Sequence, residues 1–244
     1  MTEDEAFAKA VANGAFAGMH KPPYVRKEVI GDCTLYLGDN RLVLSVLSGF
    51  DLMLTDPPYG ISYASNPIVG KGKTKSNHAR KDWDEEAPDV IGLLSLARVS
   101  IIWGGNYYPL PVSRGWLSWF KPDAPPSLSH FELAWTSLDR TSKQFSWAIA
   151  QSNAERMGHP TQKPLELMKW CLGFAPAART VLDPFMGSGT TGVACAKRGL
   201  TFTGIEIDPE YFDLSCRRIE EAYRQPDLLV QAEKQMEQTA LAIE

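Results

Sequence analysis

Asp56, Pro57, Pro58 and Tyr59 stand in a row directly after the apolar run Leu52, Met53, Leu54. A carboxylate and backbone carbonyls stiffened by proline rings can accept the hydrogens of an amine, and an aromatic ring can stack on a flat base. Proline has no N–H to give a sheet, so a strand ending here delivers Asp56 and Tyr59 just past its carboxyl end, where open α/β sheets bind ligands. A plain proline turn closing a strand would use the same letters; the partner segments weigh against it.

The second segment with chemical content is VLDPFMGSGTT, residues 181–191. Asp183 ends a strand, and Gly187 and Gly189 let a backbone approach a ligand closely. Ser188, Thr190 and Thr191 place hydroxyls and N–H groups at a helix start, which suits the polar part of a nucleotide-like ligand. The next strand ends in Glu206, positioned to accept hydrogen bonds from both hydroxyls of a ribose. No lysine precedes Thr190, so the turn is not a mononucleotide P-loop. A nicotinamide cofactor stays open, but Asp183 would repel its pyrophosphate and attract an amino group, so an amino acid joined to a ribose fits better.

Elements must hold these residues together. The stretch 34–37 alternates as a strand, a turn at Gly38 and Asp39 follows, and Leu42, Leu44 and Leu47 take helical spacing. Residues 87–97 read as a helix, 99–105 as a buried strand, 116–120 and 131–137 as strands flanking a proline-rich turn. A helix starts at or after Pro164, and strand, glycine turn, helix, strand and helix complete the chain to about residue 224. Strands alternating with helices predict an α/β fold with a mostly parallel, doubly wound sheet. One domain is expected over 1–244, with an irregular start at 1–30, a basic loop at 60–82, a short insert at 138–158 and a tail or helix at 224–244.

Composition narrows the class. With 244 residues, of which 44% are hydrophobic, the chain can bury a full core. The acidic start is not a signal peptide, and no run approaches a membrane span, so a cytoplasmic protein is expected. Cys33, Cys171, Cys195 and Cys216 form no close pair and have no nearby histidine, against a zinc site or a disulfide framework. The net charge of −4 excludes a uniformly basic surface but not a local basic patch for phosphates.

With "DPPY" (56–59), "HPTQKP" (159–164), "DPFMGSGTT" (183–191) and "GIEID" (204–208) in this order, the sequence resembles the β-class amino-methyltransferases of DNA, which use S-adenosylmethionine. The resemblance runs from about residue 31 to about 217. It implies a Rossmann-like fold in which the catalytic motif precedes the cofactor motif, so that the strand before Gly38 lies beside the strand ending in Glu206. It implies that Asp39 contacts the cofactor's adenine, although an ordinary helix N-cap explains that residue equally well. Thr161 and Lys163 would hold the cofactor's carboxylate, Phe185 would line its pocket, and Gly104, Gly105 and Asn106 would form a wall facing the target base.

The chemistry agrees. An exocyclic amine is a poor nucleophile until acceptors such as Asp56 and the Pro57 carbonyl localise its lone pair, after which in-line transfer needs no covalent intermediate and no metal. Tyr59 would stack on the flipped base. C5-cytosine chemistry is excluded by the lack of any Pro-Cys pair. An aspartate in "DPPY" leans toward adenine N6, with cytosine N4 as the alternative; a nicotinamide oxidoreductase and a non-catalytic binding module remain as other classes. Lys71, Lys73, Lys75, Arg80 and Lys81, tethered to the catalytic strand, and Arg140, Lys143 and Arg156 in the short insert are the expected DNA contacts. A homodimer follows from the resemblance alone, and a role in protecting DNA against a restriction nuclease is one of its settings.

Overall fold

The computed structural model describes residues 22–59, 88–154 and 162–224. Among them a nine-stranded sheet runs in the order β1-β2-β9-β8-β3-β4-β6-β5-β7. The strands are β1 (Arg26–Ile30), β2 (Cys33–Leu37), β3 (Phe50–Thr55), β4 (Ala97–Trp103), β5 (Trp116–Phe120), β6 (Phe131–Thr136), β7 (Lys143–Ser146), β8 (Thr180–Asp183) and β9 (Thr201–Glu206). The helices are α1 (Asn40–Val43), α2 (Val90–Leu93), α3 (Ile149–Ala154), α4 (Leu165–Leu172), α5 (Thr190–Arg198) and α6 (Pro209–Arg224). Strands β2, β9, β8, β3 and β4 are mutually parallel. Antiparallel pairs join β1 to β2 and β6 to both β4 and β5. The mostly parallel, doubly wound α/β sheet expected from the sequence is therefore present.

From β3 the chain moves to β4 on one side, and from β8 it moves to β9 on the other, so winding reverses between β3 and β8. A crevice opens at such a reversal. The two crossovers lie on opposite faces. On one, α4, α5 and α6 bury Leu167, Cys171, Ala194 and Ile219 against Leu52, Leu54 and Val181. On the other, Met53, Ile102, Leu182 and Ile205 are covered by α1, α2 and their flanking turns. Leu52, Met53 and Leu54 are 0% exposed, as an apolar run between two layers requires. Burying such a side chain contributes about 1.5–3 kcal/mol.

Two expectations are corrected here. The helices read after Asp39 and before Ala97 are single α-turns continued by 3-10 turns. Ser45 Oγ donates to Leu42 O at 2.6 Å and Ser95 Oγ to Gly92 O at 3.2 Å, local bonds that compete with helix propagation. The segment 1–30 is not irregular throughout, since Arg26–Ile30 is a strand. It pairs with β2 through a two-residue Gly31-Asp32 turn in which Gly31 has φ 56°, the hairpin chemistry of a Gly-Asp loop. Within the insert, Lys143–Ser146 adds an outer strand parallel to β5, and Asp123 accepts from the N–H groups of Ile149 and Ala150 at 2.6 and 2.9 Å to start α3.

Candidate active site

The prolines end β3 after Thr55, and Asp56 emerges beside the tip of β8. Thr55 Oγ1 donates to Asp183 Oδ1 at 2.7 Å, tying the catalytic strand to the glycine-turn strand. At the tip of β9, Gly38 N–H donates to the Glu206 carbonyl at 2.9 Å, which fulfils the expected β2–β9 neighbourhood. Asn40 Nδ2 donates to Pro184 O at 3.1 Å and closes the same end of the sheet. A cavity of about 600 Å³ lies there, reaching from Asp56, Pro58 and Lys163 past Asp183 and Phe185 to Asp39 and Glu206.

Each expected residue has a definite place. Asp56 Oδ1 accepts from the Tyr59 hydroxyl at 2.6 Å and Oδ2 from Lys163 Nζ at 2.5 Å. Burial and the Asp56 charge hold the Tyr59 hydroxyl well above its ordinary pKa, so it stays protonated and donates. The Tyr59 ring stacks on Tyr107 with centroids 4.9 Å apart. Tyr108 Oη donates to Pro58 O at 2.6 Å and, at a longer 3.3 Å, to Pro57 O, pinning the carbonyls of the motif.

Asp183 is 3% exposed; burial pushes its carboxyl up to about 6 against the bonds from Thr55 and Thr191. Burial likewise raises Glu206 to about 7, although Oε2 accepts from Gly187 N–H and Oε1 from Asp208 N–H, both at 2.8 Å.

Several residues do something other than expected. Ser188, Thr190 and Thr191 line the cavity and their hydroxyls are also bonded within the protein: Arg218 Nη1 donates to Ser188 Oγ at 2.9 Å and Thr190 Oγ1 at 3.2 Å, and Thr191 Oγ1 donates to Asp183 Oδ2 at 2.8 Å. These bonds shape the turn at the cavity. Gly189, at φ 77°, serves close packing, since a Cβ there would lie 2.7 Å from Ser215 Cβ on α6. Asp39 is an N-cap that accepts from Arg41 N–H at 2.9 Å and pairs with the Arg41 guanidinium, yet it also lines the cavity.

Lys163 is 8% exposed and lines the cavity, and its ammonium pairs with Asp56 and, at 3.2 Å, with Glu132. Gly104 and Gly105 are points of close packing. A Cβ on Gly104 would stand 2.0 Å from Tyr59 Cε1, and one on Gly105 would stand 2.4 Å from Trp135 Cβ. Gly104 also sits at φ 68°, a left-handed conformation that L side chains avoid. Gly104→Ala is expected to cost at least about 2 kcal/mol through both effects, read as a fall of several degrees in a thermal melt. An unchanged melting temperature would refute this packing role.

Two basic residues of the insert have described positions. Arg140 lies over the Phe174 ring at 4.1 Å, past the end of α4, about 12 Å of helix from the Lys163 end. It is a packing residue there and not a neighbour of Asp56. Lys143 is exposed on β7, four strands from β3 and so about 19 Å to the side. Lys71, Lys73, Lys75, Arg80, Lys81, Arg156 and Thr161 lie outside the described residues.

Glu132, Tyr108, Tyr107, Asn40 and Arg218 are site residues that sequence reasoning missed. Glu132 left one trace, a lone charge inside the apolar strand FELAW. It accepts from both Lys121 and Lys163. Burial opposes its ionisation, but the Lys163 and Lys121 charges outweigh that, and its carboxyl titrates below the ordinary range.

A cofactor crevice at the β3/β8 reversal, with an acidic β9 tip and a Pro-stiffened carboxylate at its mouth, defines a Rossmann-like methyltransferase whose catalytic strand comes first in the chain. A family model described as DNA methylase (N6_N4_Mtase) matches residues 116–217. Type II methyltransferase M2.MboI of Moraxella bovis is 45% identical, over 71% of this chain and 82% of that protein. The chain belongs to this family of DNA methylases. DNA adenine methyltransferase YhdJ of Escherichia coli strain K12 is 45% identical over 28% of this chain and 24% of that protein. Two other curated methyltransferases match over shorter stretches, where the chain spans 23% and 24% of their lengths. Among solved structures, the M1.HpyAVI-SAM complex shares the fold with a TM-score of 0.54 at 23% identity, covering 76% of this chain and 99% of that one. Among the described residues no helix is long and apolar enough to cross a membrane.

Proposed function

We propose that the protein transfers a methyl group from S-adenosylmethionine to the exocyclic N6 of adenine in DNA, after extruding the base from the duplex. The observation that carries this reading is the position of Asp56: it opens into the same cavity as Phe185 and Glu206 and is joined to Asp183 through Thr55. The cavity fits the cofactor chemically. Asp39, Asp183 and Glu206 bring carboxylates to one wall, and Leu44, Phe185, Ile205 and Ile207 bring apolar surface. Such a wall attracts a ligand carrying ammonium and sulfonium charge and repels a pyrophosphate.

When bound, S-adenosylmethionine supplies an electrophilic methyl group on positive sulfur. The chain's own residues prepare the acceptor. Asp56 and the Pro57 carbonyl accept hydrogen bonds from the two amine N–H groups and localise the nitrogen lone pair, while Lys163 and Tyr59 hold the carboxylate still, and the proton of the methylated amine leaves to solvent. As positive charge grows on the amine, the Asp56 charge stabilises it. The half-exposed ring of Tyr107, stacked on Tyr59, offers the outer surface for the base. Glu206 orients the ribose and Asp183 faces the cofactor's amino group. The basic loop from Lys71 to Lys81 clamps phosphates, with Lys143 and Arg156 as outlying contacts, and two copies of the chain act together as a dimer.

The aspartate of "DPPY" and the name carried by YhdJ favour adenine over cytosine. Mass spectrometry of nucleosides from DNA incubated with enzyme and labelled cofactor tests the reading. Labelled N6-methyl-2′-deoxyadenosine is the expected product; N4-methyl-2′-deoxycytidine would overturn the choice of base, and no labelled nucleoside would overturn transfer itself.

A pH dependence follows from the two raised carboxyls. In the free protein Glu206 and Asp183 take up protons as pH falls through about 7 and about 6. A cationic cofactor favours their ionised forms, so binding releases protons and affinity rises with pH across this window. Calorimetry in buffers of differing ionisation heat should record that release. Proton uptake on binding would contradict the assignment.

A further inference from the structure

We infer that Glu132 is a positioning residue for the transfer, acting on Asp56 through Lys163; this rests on the methyl-transfer reading. Lys163 Nζ has three donor directions, and the structure uses them on Asp56 Oδ2 at 2.5 Å, Glu132 Oε2 at 3.2 Å and, weakly, Tyr59 Oη at 3.4 Å. A lysine side chain otherwise rotates freely about a four-carbon stem. Here it is a fixed tripod because two of its legs are charged. Glu132 is itself held from behind by Lys121, whose ammonium lies 4.6 Å from the Trp119 ring centroid. The four charges alternate in sign, Lys121, Glu132, Lys163, Asp56, and sum to zero.

That arrangement has two consequences at the reacting end. Each Asp56 oxygen receives one donor from below, Tyr59 on Oδ1 and Lys163 on Oδ2, which leaves the remaining lone pairs for an amine. Removing the Glu132 charge frees one leg of the tripod and leaves an uncompensated ammonium beside the place where an amine becomes positive, which raises the transition state more than it disturbs the bound cofactor. The register explains how a residue far from the motif reaches it. Trp103, the last residue of β4, pairs with Ala134, so Glu132 lies two residues past the end of β4, level with the residues that follow β3.

The test compares wild type, Glu132→Gln, Lys163→Met and the double variant. Glu132→Gln keeps the side-chain shape; its kcat should fall on the order of tenfold to a hundredfold, while the calorimetric Kd for S-adenosylmethionine moves by no more than about threefold. Because Glu132 acts through Lys163, the double variant should have the kcat of Lys163→Met alone. A wild-type kcat in Glu132→Gln, or full additivity in the double variant, would overturn the inference. A Kd that collapses in Glu132→Gln in step with kcat would overturn it too, by showing a structural role. Failure of the wild type to methylate DNA would instead remove the function proposed above.

Discussion

Asp56→Ala should slow methyl transfer by at least about a thousandfold while the cofactor still binds. Single preorganised groups in polar active sites are each worth about a hundredfold to a thousandfold, and Asp56 is asked to do two things, to accept an amine hydrogen and to stabilise the charge that follows. Cofactor affinity should hold within about threefold, because Glu206, Asp183 and Phe185 occupy the far part of the cavity and depend on β8 and β9 rather than on Asp56. Alanine also strips Lys163 of a partner. Asp56→Asn separates the two effects, since its amide oxygen can still accept from Lys163. It loses the charge and turns a donor toward the amine, so it should be nearly as inactive as alanine. The measurement is single-turnover transfer to DNA beside calorimetric cofactor binding. Turnover near wild type in the asparagine variant would remove Asp56 from the mechanism.

The second large effect is expected from Lys163→Met, on stability and rate together. Burial alone would push the Lys163 ammonium down, but Asp56 and Glu132 hold it well above its ordinary pKa. Methionine fills the stem's volume and leaves both carboxylates without their shared cation. Removing one member of a buried pair costs about 3–5 kcal/mol. The side chains of Asp56 and Glu132 are 26% and 27% exposed, so water offsets part of this. A loss of about 2–3 kcal/mol is expected, which at about 2–4 °C per kcal/mol for a chain of this size lowers Tm by about 5–10 °C. The rate should fall at least about tenfold even well below the melting transition, since among the described residues Asp56 then keeps only the Tyr59 bond. A variant that melts early yet turns over normally would confine Lys163 to a structural role.

The contrast between these residues measures what a linear reading can reach. Asp56, Tyr59 and the glycine turn are visible because their chemistry is local: prolines end a strand by lacking N–H groups, and glycines mark a tight approach. Glu206 is legible for the same reason, as an acid at the end of an apolar run. Lys163 is visible as a letter but not as a role, because its partner Asp56 stands 107 positions away. Gly104 reads as a generic turn until Tyr59 is seen beneath it. The hydroxyls of Ser188 and Thr190 read as cavity groups, but their bonds from Arg218, on the last described helix, leave no trace along the chain. Apolar spacing overstates the lengths of α1 and α2, since it carries no record of Ser45 and Ser95 bonding back to the preceding carbonyls.

By itself the sequence determined the alternation of strands and helices, the two chemical segments and their order, because each depends on interactions within a few residues. Only the tertiary structure decided which charges neutralise one another, which side chains brace the glycine turn, and that Arg140 lies over Phe174 at the far end of α4. Those outcomes follow from strand register and helix packing, which bring together side chains that no local propensity links, and electrostatic pairing depends on that separation in space and not on separation along the chain.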